Sequence, residues 1–349
     1  MKTDKSFNFM ATGVGSVPFL DVDNACQEII NDFPYIPFWP QFVKRSSLED
    51  MSIQASQGLP LIKLDNDRQS IYIDHRSDND LIDFYEHFMS EDLNYFQISP
   101  EYASGLYKLL DLISKNPGAT GPFIKGQIVG PVTFAGSLTD KTGKSALYNS
   151  EIMDTVVKGL AIKALWLVRK MSASDREAII FIDEPYLSGF GSAFTPIQRE
   201  EVIKFISEVI DYLRSKSDVL IGIHCCGNTD WSMIIETGID IVNFDAFDYM
   251  DFFLLYKKEI LKFVESGGTI AWGIAPTSSY TGKESVDYLK GKLEQGINRL
   301  QQWGIDRKTI SKRSMLTPAC GVGTLEPDIA RNIFGLLSSL SSEMSNSAA

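Results

Sequence analysis

The sequence has few of the features that mark a disulfide scaffold, a membrane protein or a nucleic-acid-binding protein. Its 349 residues include only four cysteines and three histidines, and these cysteines are too few and too unevenly spaced for a disulfide framework. There is no apolar run long enough to span a bilayer and no signal-type segment at the start. An excess of 45 acidic over 33 basic residues argues against nucleic acid and anionic membranes as partners. We therefore expect a cytoplasmic protein that binds a small molecule or another protein.

The order of apolar segments indicates an α/β fold. Short runs rich in β-branched and aromatic residues alternate with longer amphipathic segments, as in parallel strands joined by helices. No G-x-G-x-x-G fingerprint follows a strand. The pattern therefore favours a single (β/α)8 TIM barrel over an open doubly wound sheet. Strands are predicted at 9–16, 35–40, 123–129, 178–183, 219–225, 240–245, 269–275 and 315–319, and helices at 23–31, 100–114, 151–171, 195–215, 250–265, 284–303 and 327–340.

Two segments depart from the alternation. The stretch 59–75 contains two short apolar runs around Asp65-Asn66-Asp67, which predicts a small β-hairpin insertion near the N-terminus. The small, polar tail 341–349 is expected to be frayed. No linker or repeat divides the chain, so we expect one domain over 1–349.

The most informative motif lies at the end of the strand predicted at 219–225. Side chains alternate along a strand, so His224 and Cys226 face one side and Cys225 the other. Cys320 ends the last predicted strand and precedes a glycine-rich turn. One imidazole and two thiols at the mouth of a barrel suit a catalytic Zn²⁺ with an open position. Core packing of buried cysteines is the alternative.

Carboxylates follow two other predicted strands. Asp245 comes 19 residues after Cys226, where it is either a fourth metal ligand, a partner of His224, or a solvated loop residue. Asp183 and Glu184 follow four apolar residues. Burying two carboxylates at this position costs free energy unless they bind a partner at the mouth of the barrel. Asp183 is our candidate for binding a substrate ammonium; pairing with a basic neighbour and capping of the next loop are the alternatives. We regard Asp183 and Asp245 as the candidate catalytic carboxylates.

Two more strand ends offer binding groups. Backbone N–H groups at Gly15 and the Ser16 hydroxyl could hold a substrate carboxylate, although a tight turn alone explains the glycines equally well. Trp39 stands among large aromatics and is either a wall for a flat ligand such as a corrin ring or a core residue.

Taken together, these motifs resemble the catalytic half of cobalamin-independent methionine synthase and the related zinc methyltransferases of the uroporphyrinogen decarboxylase-like superfamily. The matching motifs are the first-strand Gly-Ser-x-Pro, the Asp-Glu-Pro after the fourth strand, the H-x-C-G-N-T from His224 to Thr229 and the late Pro-x-Cys-Gly, in order along nearly the whole chain. The H-x-C-G-N-T form is most similar to the corrinoid-linked branch.

The resemblance implies a TIM-barrel methyltransferase that forms methionine by methylating the zinc-bound thiolate of homocysteine. It places zinc on His224, Cys226 and Cys320, with Asp245 near the position of a glutamate ligand. It places the homocysteine carboxylate at Gly15 and Ser16 and the ammonium near Asp183. A glutamate that the family uses on the amino acid is not evident near the second strand, where Glu49 is a candidate substitute.

Two departures from the synthase pattern bear on the methyl donor. The proton-moving histidine expected after the seventh strand is missing from Gly273-Ile274-Ala275-Pro276, and the N-terminal half of the two-barrel synthase is absent. A cobalt leaving group needs no protonation, so we expect methylcobalamin or a methylcorrinoid carrier protein rather than methyl-tetrahydrofolate as donor. Transfer to another thiol of the coenzyme M type, or a non-catalytic zinc- or corrinoid-binding module, are the rival interpretations.

Overall fold

The computed structural model describes residues 5–74, 78–192, 195 and 197–348. Nine strands are found in these ranges: β1 Met10–Ala11, β2 Ile62–Asp65, β3 Ser70–Ile73, β4 Phe123–Val129, β5 Glu177–Asp183, β6 Leu220–Cys225, β7 Ile241–Phe244, β8 Thr269–Ala275 and β9 Ser314–Pro318. The helices are α1 Val22–Asp32, α2 Met51–Ser56, α3 Asp78–Met89, α4 Ser104–Lys115, α5 Pro131–Ser137, α6 Ser150–Ser172, α7 Arg199–Lys216, α8 Trp231–Glu236, α9 Met250–Phe253, α10 Lys257–Glu265, α11 Val286–Gln302, α12 Arg307–Lys312 and α13 Pro327–Ala348.

Seven of the strands form one parallel sheet that curls into a barrel. Its strand order is β1-β9-β8-β7-β6-β5-β4, and every neighbouring pair is parallel. Helices connect successive strands, as parallel pairing requires. The predicted TIM-barrel fold is confirmed. The longest helix, α6, has 23 residues, and no helix in the described part of the chain is both long and apolar enough to cross a membrane.

The eighth barrel position is filled by a segment that is not a regular strand. The prediction of a strand at 35–40 is wrong, because Phe38 and Gln41 make only isolated parallel bridges, to Lys125 and Ser16. The backbone N–H of Trp39 donates to the Lys125 carbonyl at 2.9 Å. Proline has no N–H to give to a strand ladder; this segment contains two prolines, Pro37 and Pro40, and Pro34 immediately precedes it. The gap between β1 and β4 is thus closed by single bridges.

Side chains along the barrel strands point alternately into the barrel and out of it. A layer of apolar side chains fills its amino-terminal end, including Phe123, Ile179, Leu220, Ile241 and Met315. Because every second residue of a strand faces the same side, residues two and four positions further along these strands also point inward. The sequence thereby directs polar residues near the carboxyl ends of the strands into the barrel mouth.

The hairpin insertion is present as predicted. β2 and β3 pair antiparallel from Ile62 opposite Ile73 to Asp65 opposite Ser70. Residue 75, at the edge of the predicted insertion, lies outside the described residues. The helix predicted at 250–265 is two helices, α9 and α10.

The C-terminal segment differs from the frayed tail that its small residues suggested. Helix α13 continues to Ala348, with Leu340 and Met344 buried. Ser345 donates its hydroxyl to the Asn8 carbonyl at 2.7 Å, and Ser341 donates to the Phe9 carbonyl at 2.8 Å. The buried Leu340 and Met344 side chains and these two hydrogen bonds hold the last turns of α13 against the first strand. Residue 349 lies outside the described residues.

We expect Met344→Ala to lower the free energy of unfolding by about 2–5 kcal/mol, since it removes a large buried side chain. Urea denaturation followed by circular dichroism measures this change. Ser339→Ala, at an exposed position of the same helix, is the matched control and should change stability by less than about 0.5 kcal/mol. Equal stability of Met344→Ala and wild type contradicts the observed packing.

Candidate metal centre

The H-x-C motif is positioned by a fully buried strand. All six residues of β6 are buried, and the strand lies between β5 and β7. Leu220 belongs to the layer inside the barrel, so His224, four residues on, points inward at the carboxyl end. His224 and Cys226 both line a cavity at the barrel mouth, whereas Cys225 is buried outside it. The predicted alternation at this strand end is confirmed.

Cys320 completes a group of three potential metal ligands. It follows β9, which delivers it to the same cavity. One ligand atom each from His224, Cys226 and Cys320 lie within 4.8 Å of one another. An imidazole nitrogen and two sulfurs converging in this way are a donor set that Zn²⁺ prefers.

Electrostatics favours one thiolate in this group. The Cys320 thiol donates a hydrogen bond to the Cys226 sulfur, and together with the adjacent His224 imidazole this lowers the pKa of Cys226 to about 4. The same interaction, with burial, raises the pKa of Cys320 well above its usual range. A thiolate is the form of cysteine that binds metals, so Cys226 is prepared for coordination.

His224 presents an unused nitrogen to the cavity. Its Nδ1 lies 2.6 Å from Oδ1 of Asn243, while its buried Nε2 has no nitrogen or oxygen partner among the described residues and the ring interacts with the Cys226 sulfur. Buried polar atoms are nearly always paired, and an unpaired imidazole nitrogen beside two sulfurs fits a metal ligand. Asn243 had no role in the sequence-based prediction, although an asparagine within the fully buried strand β7 is an unusual residue that signals one.

Asp183 and Glu184 face opposite sides of the barrel wall. Asp183 lines the cavity, and its buried Oδ1 has no partner among the described residues. Burial raises the pKa of Asp183 to about 6, against the attraction of Lys125 and His224. Glu184 instead accepts hydrogen bonds from Val132 N at 3.0 Å and Thr133 N at 2.7 Å. Glu184 therefore accepts from the free N–H groups in the first turn of α5. Asp183 is left as the carboxylate available to a ligand.

Lys125 is a buried cation that sequence reasoning left without a role. Its ammonium group donates to the Val14 carbonyl and to Gln127 Oε1, the latter at 3.1 Å. It also lies 4.6 Å from the centre of the Phe181 ring. Burial lowers the pKa of Lys125 to about 8, while Asp183 opposes this shift. Through Val14, Lys125 holds the loop after β1 in place, and its charge stabilises the ionised form of Asp183.

The cavity has a volume of about 320 Å³, at the small end of the range for small-molecule sites. Ser16 lines it, from the loop after β1. The Ser16 carbonyl accepts a hydrogen bond from Val322 N at 3.0 Å, and a side chain at Gly321 would overlap the Ser16 hydroxyl. The loops after β1 and β9 therefore pack closely, and Ser16 and Cys320 open into the same space. Gly15 is adjacent in sequence but is not part of the lining.

Three other candidate residues are placed differently from the sequence expectation. Trp39 is fully buried, so it is a core residue and offers no face to a corrin ring. Glu49 is also fully buried, and its oxygens accept hydrogen bonds from Phe42 N and the Ser104 hydroxyl, away from the cavity lining. Asp245 lies outside the group of three ligand atoms, and its Oδ1 accepts from the backbone of the loop that follows. A ligand role for Asp245 stays a prediction.

Comparison with known proteins gives a related sequence and a similar solved structure. No protein family model matches the chain. A methionine synthase of Methanocaldococcus jannaschii is 27% identical over 209 residues, covering 60% of this chain and 61% of that protein. The match thus spans about three fifths of the relative's length. The structure of a B12-independent methionine synthase from a Shewanella species, in complex with selenomethionine, is similar with a TM-score of 0.61 at 14% identity, covering 97% of this chain and 98% of that chain. At this identity the likeness supports the fold alone.

We expect the purified chain to bind one zinc ion, and Cys226→Ala and Cys320→Ala to reduce the bound metal to well below one per chain. Each substitution removes one of three ligands from a site with few alternatives. Elemental analysis after dialysis against a weak chelator measures the stoichiometry. Cys225→Ala is the matched control, because the neighbouring thiol is outside the cavity, and it should retain full zinc. Full zinc in Cys320→Ala contradicts the ligand assignment.

Proposed function

We propose that this protein is a zinc-dependent methyltransferase that forms methionine from homocysteine. The observation that carries the proposal is the meeting, in one small cavity, of the His224, Cys226 and Cys320 ligand group with an Asp183 carboxylate oxygen that has no partner among the described residues. A thiol at the metal and an ammonium at the carboxylate are the two ends of an amino-acid thiol. The 27% identity to a methionine synthase supports the same reaction.

The residues of the chain have separate tasks in this reaction. When bound at His224, Cys226 and Cys320, zinc lowers the pKa of a coordinated substrate thiol, so that the nucleophilic thiolate exists at neutral pH. Asp183 binds and orients the substrate ammonium. Lys125 keeps Asp183 ionised and, through Val14, fixes the loop carrying Gly15 and Ser16, which we assign to the substrate carboxylate. The small cavity limits the water around the thiolate, which strengthens these charged contacts.

The fold does not determine the methyl donor, which has to be identified by experiment. The sequence predicts methylcobalamin or a methylcorrinoid protein as donor, but the comparisons lend this no support, since the similar solved structure belongs to a B12-independent enzyme. The buried position of Trp39 removes the one residue that we had assigned to a corrin ring.

We expect the zinc-loaded protein to form methionine from homocysteine with one of two donors, methylcobalamin or methyl-tetrahydrofolate. Mass spectrometry of the product measures the transfer, and Cys226→Ala is the inactive control. Methylation of a thiol without an amino group, such as coenzyme M, in preference to homocysteine favours the rival methyltransferase. A zinc-loaded protein that forms no thioether with either donor contradicts enzymatic function and leaves a binding module.

We expect Asp183→Asn to raise KM for homocysteine by about 10–100-fold, the loss of one charge-assisted hydrogen bond. KM for 4-mercaptobutyrate, which is homocysteine without its amino group, should change little. The pKa of about 6 for Asp183 gives a further expectation for wild type. Below about pH 6 the carboxyl becomes protonated, so KM for homocysteine should rise as pH falls.

The adjacent carboxylate provides the control for this substitution. Glu184 is equally buried but bonds to α5 rather than lining the cavity. Glu184→Gln should therefore lower stability, and any change in KM should be the same for both thiols. If Asp183→Asn raises KM equally for both thiols, Asp183 does not bind the ammonium.

A further inference from the structure

We propose that Asn243 is a positioning residue that fixes His224 in the tautomer with the proton on Nδ1 and the lone pair on Nε2, facing the metal. This inference rests on the proposed zinc site and deepens it. It assigns a role to the one asparagine that is buried among the described residues.

The orientation of the Asn243 side chain follows from its donors. Its amide nitrogen lies 2.8 Å from the Ala271 carbonyl oxygen and 2.8 Å from the Thr317 hydroxyl. A backbone carbonyl can only accept a hydrogen bond, so the amide nitrogen must face Ala271. The atom that faces His224 is therefore the amide oxygen, Oδ1.

The orientation of the amide determines the state of the imidazole. Asn243 Oδ1 can only accept, and it lies 2.6 Å from His224 Nδ1. Nδ1 must then carry the proton, and in the neutral ring Nε2 is left with a lone pair. This is the form in which imidazole binds a metal through Nε2.

The opposite tautomer would need an acceptor at Nε2 and would lose the hydrogen bond to Asn243. The obvious candidate is Asp183, which pairs with His224 in the register of β5 and β6. His224 Nε2 and Asp183 Oδ1 are nevertheless both without partners among the described residues, so the two atoms do not bond to each other. A proton on Nε2 instead of Nδ1 could be donated to the Cys226 sulfur, but it would place Nδ1 and Asn243 Oδ1 as two acceptors in contact at 2.6 Å.

The same contacts connect the two strands that carry the ligands. Asn243 on β7 reaches His224 on β6, Ala271 on β8 and Thr317 on β9, three residues before Cys320. One amide group thus links four consecutive strands at the level of the site. We expect it to fix the ring orientation of His224 relative to Cys320 as well as its proton.

The tautomer is measured in the wild-type apoprotein labelled with ¹⁵N-histidine. The chain has three histidines, and His75→Gln and His87→Gln assign their signals. Long-range ¹H–¹⁵N spectra recorded where the ring is neutral should show His224 with a protonated Nδ1 and an unprotonated Nε2. A protonated Nε2, or averaged signals, in wild type overturns the proposal without any variant of the site.

The variants test whether Asn243 causes this state. Asn243→Ala should lose the fixed tautomer and raise the zinc dissociation constant, measured by chelator competition, about 10–100-fold. Val242→Ala is the matched control, because this buried neighbour points to the other face of β7 and its loss should destabilise the fold without moving the tautomer or the zinc affinity. Retention of both by Asn243→Ala overturns the proposal.

A third variant serves if Asn243→Ala does not fold. Thr317→Val removes one acceptor of the Asn243 amide and should raise the zinc dissociation constant in the same direction by a smaller factor. An unchanged constant counts against the proposal. None of these measurements uses a thiol or a methyl donor, so a protein that fails to make methionine can still confirm the role of Asn243, and an active enzyme can still refute it.

Discussion

Closure of the barrel between β4 and the first strand is the constraint on which the site depends. The proline-containing segment cannot form a full strand ladder there, and a few contacts replace it. Trp39 N donates to the Lys125 carbonyl, Gln127 Nε2 donates to the Trp39 carbonyl at 2.9 Å, and Val17 N donates to the Gln41 carbonyl at 2.9 Å. The Lys125 ammonium, bound to the Val14 carbonyl, adds a charged link across the same gap. These contacts bring the Ser16 loop to the mouth into which β5, β6 and β9 deliver their end residues.

Buried polar groups that have hydrogen-bond partners can be distinguished from those that do not, and this separates structural residues from candidate functional ones. Glu184 and Glu49 are as buried as Asp183, yet their oxygens are occupied by backbone N–H and hydroxyl groups of neighbouring segments. Asp183 Oδ1 and His224 Nε2 have no such partners among the described residues. Leaving a buried polar atom unpaired costs stability. Two such atoms at one small cavity indicate a site arranged for a ligand rather than for the fold.

The sequence predicted well wherever a strict period governs the structure. The strands at 123–129, 269–275 and around His224 lie where the apolar runs indicated, and alternation placed His224 and Cys226 in the cavity and Cys225 outside it. The errors arose where long-range packing decides. Prolines prevented a strand at 35–40, contacts with the first strand ordered helix α13, and Trp39 and Glu49 are enclosed by segments distant in sequence. Asn243 was overlooked because its role depends on strands β6, β8 and β9 together, which no local pattern of one strand contains.

The size of the cavity divides the proposed reaction between the interior and the rim. A space of about 320 Å³ suits one amino-acid thiol, since sites that enclose drug-sized ligands range up to about 1,000 Å³. In the proposed reaction the thiol occupies this space, and we expect the donor to approach over the rim. In-line displacement requires the sulfur, the methyl group and the leaving atom to be aligned. Val43 and Thr324 line the cavity from two loops, and Met51 lines it as the first residue of α2. In the proposed reaction the ligand group and Asp183 hold the acceptor, and we expect these three residues, rather than the buried core of the barrel, to contact the donor.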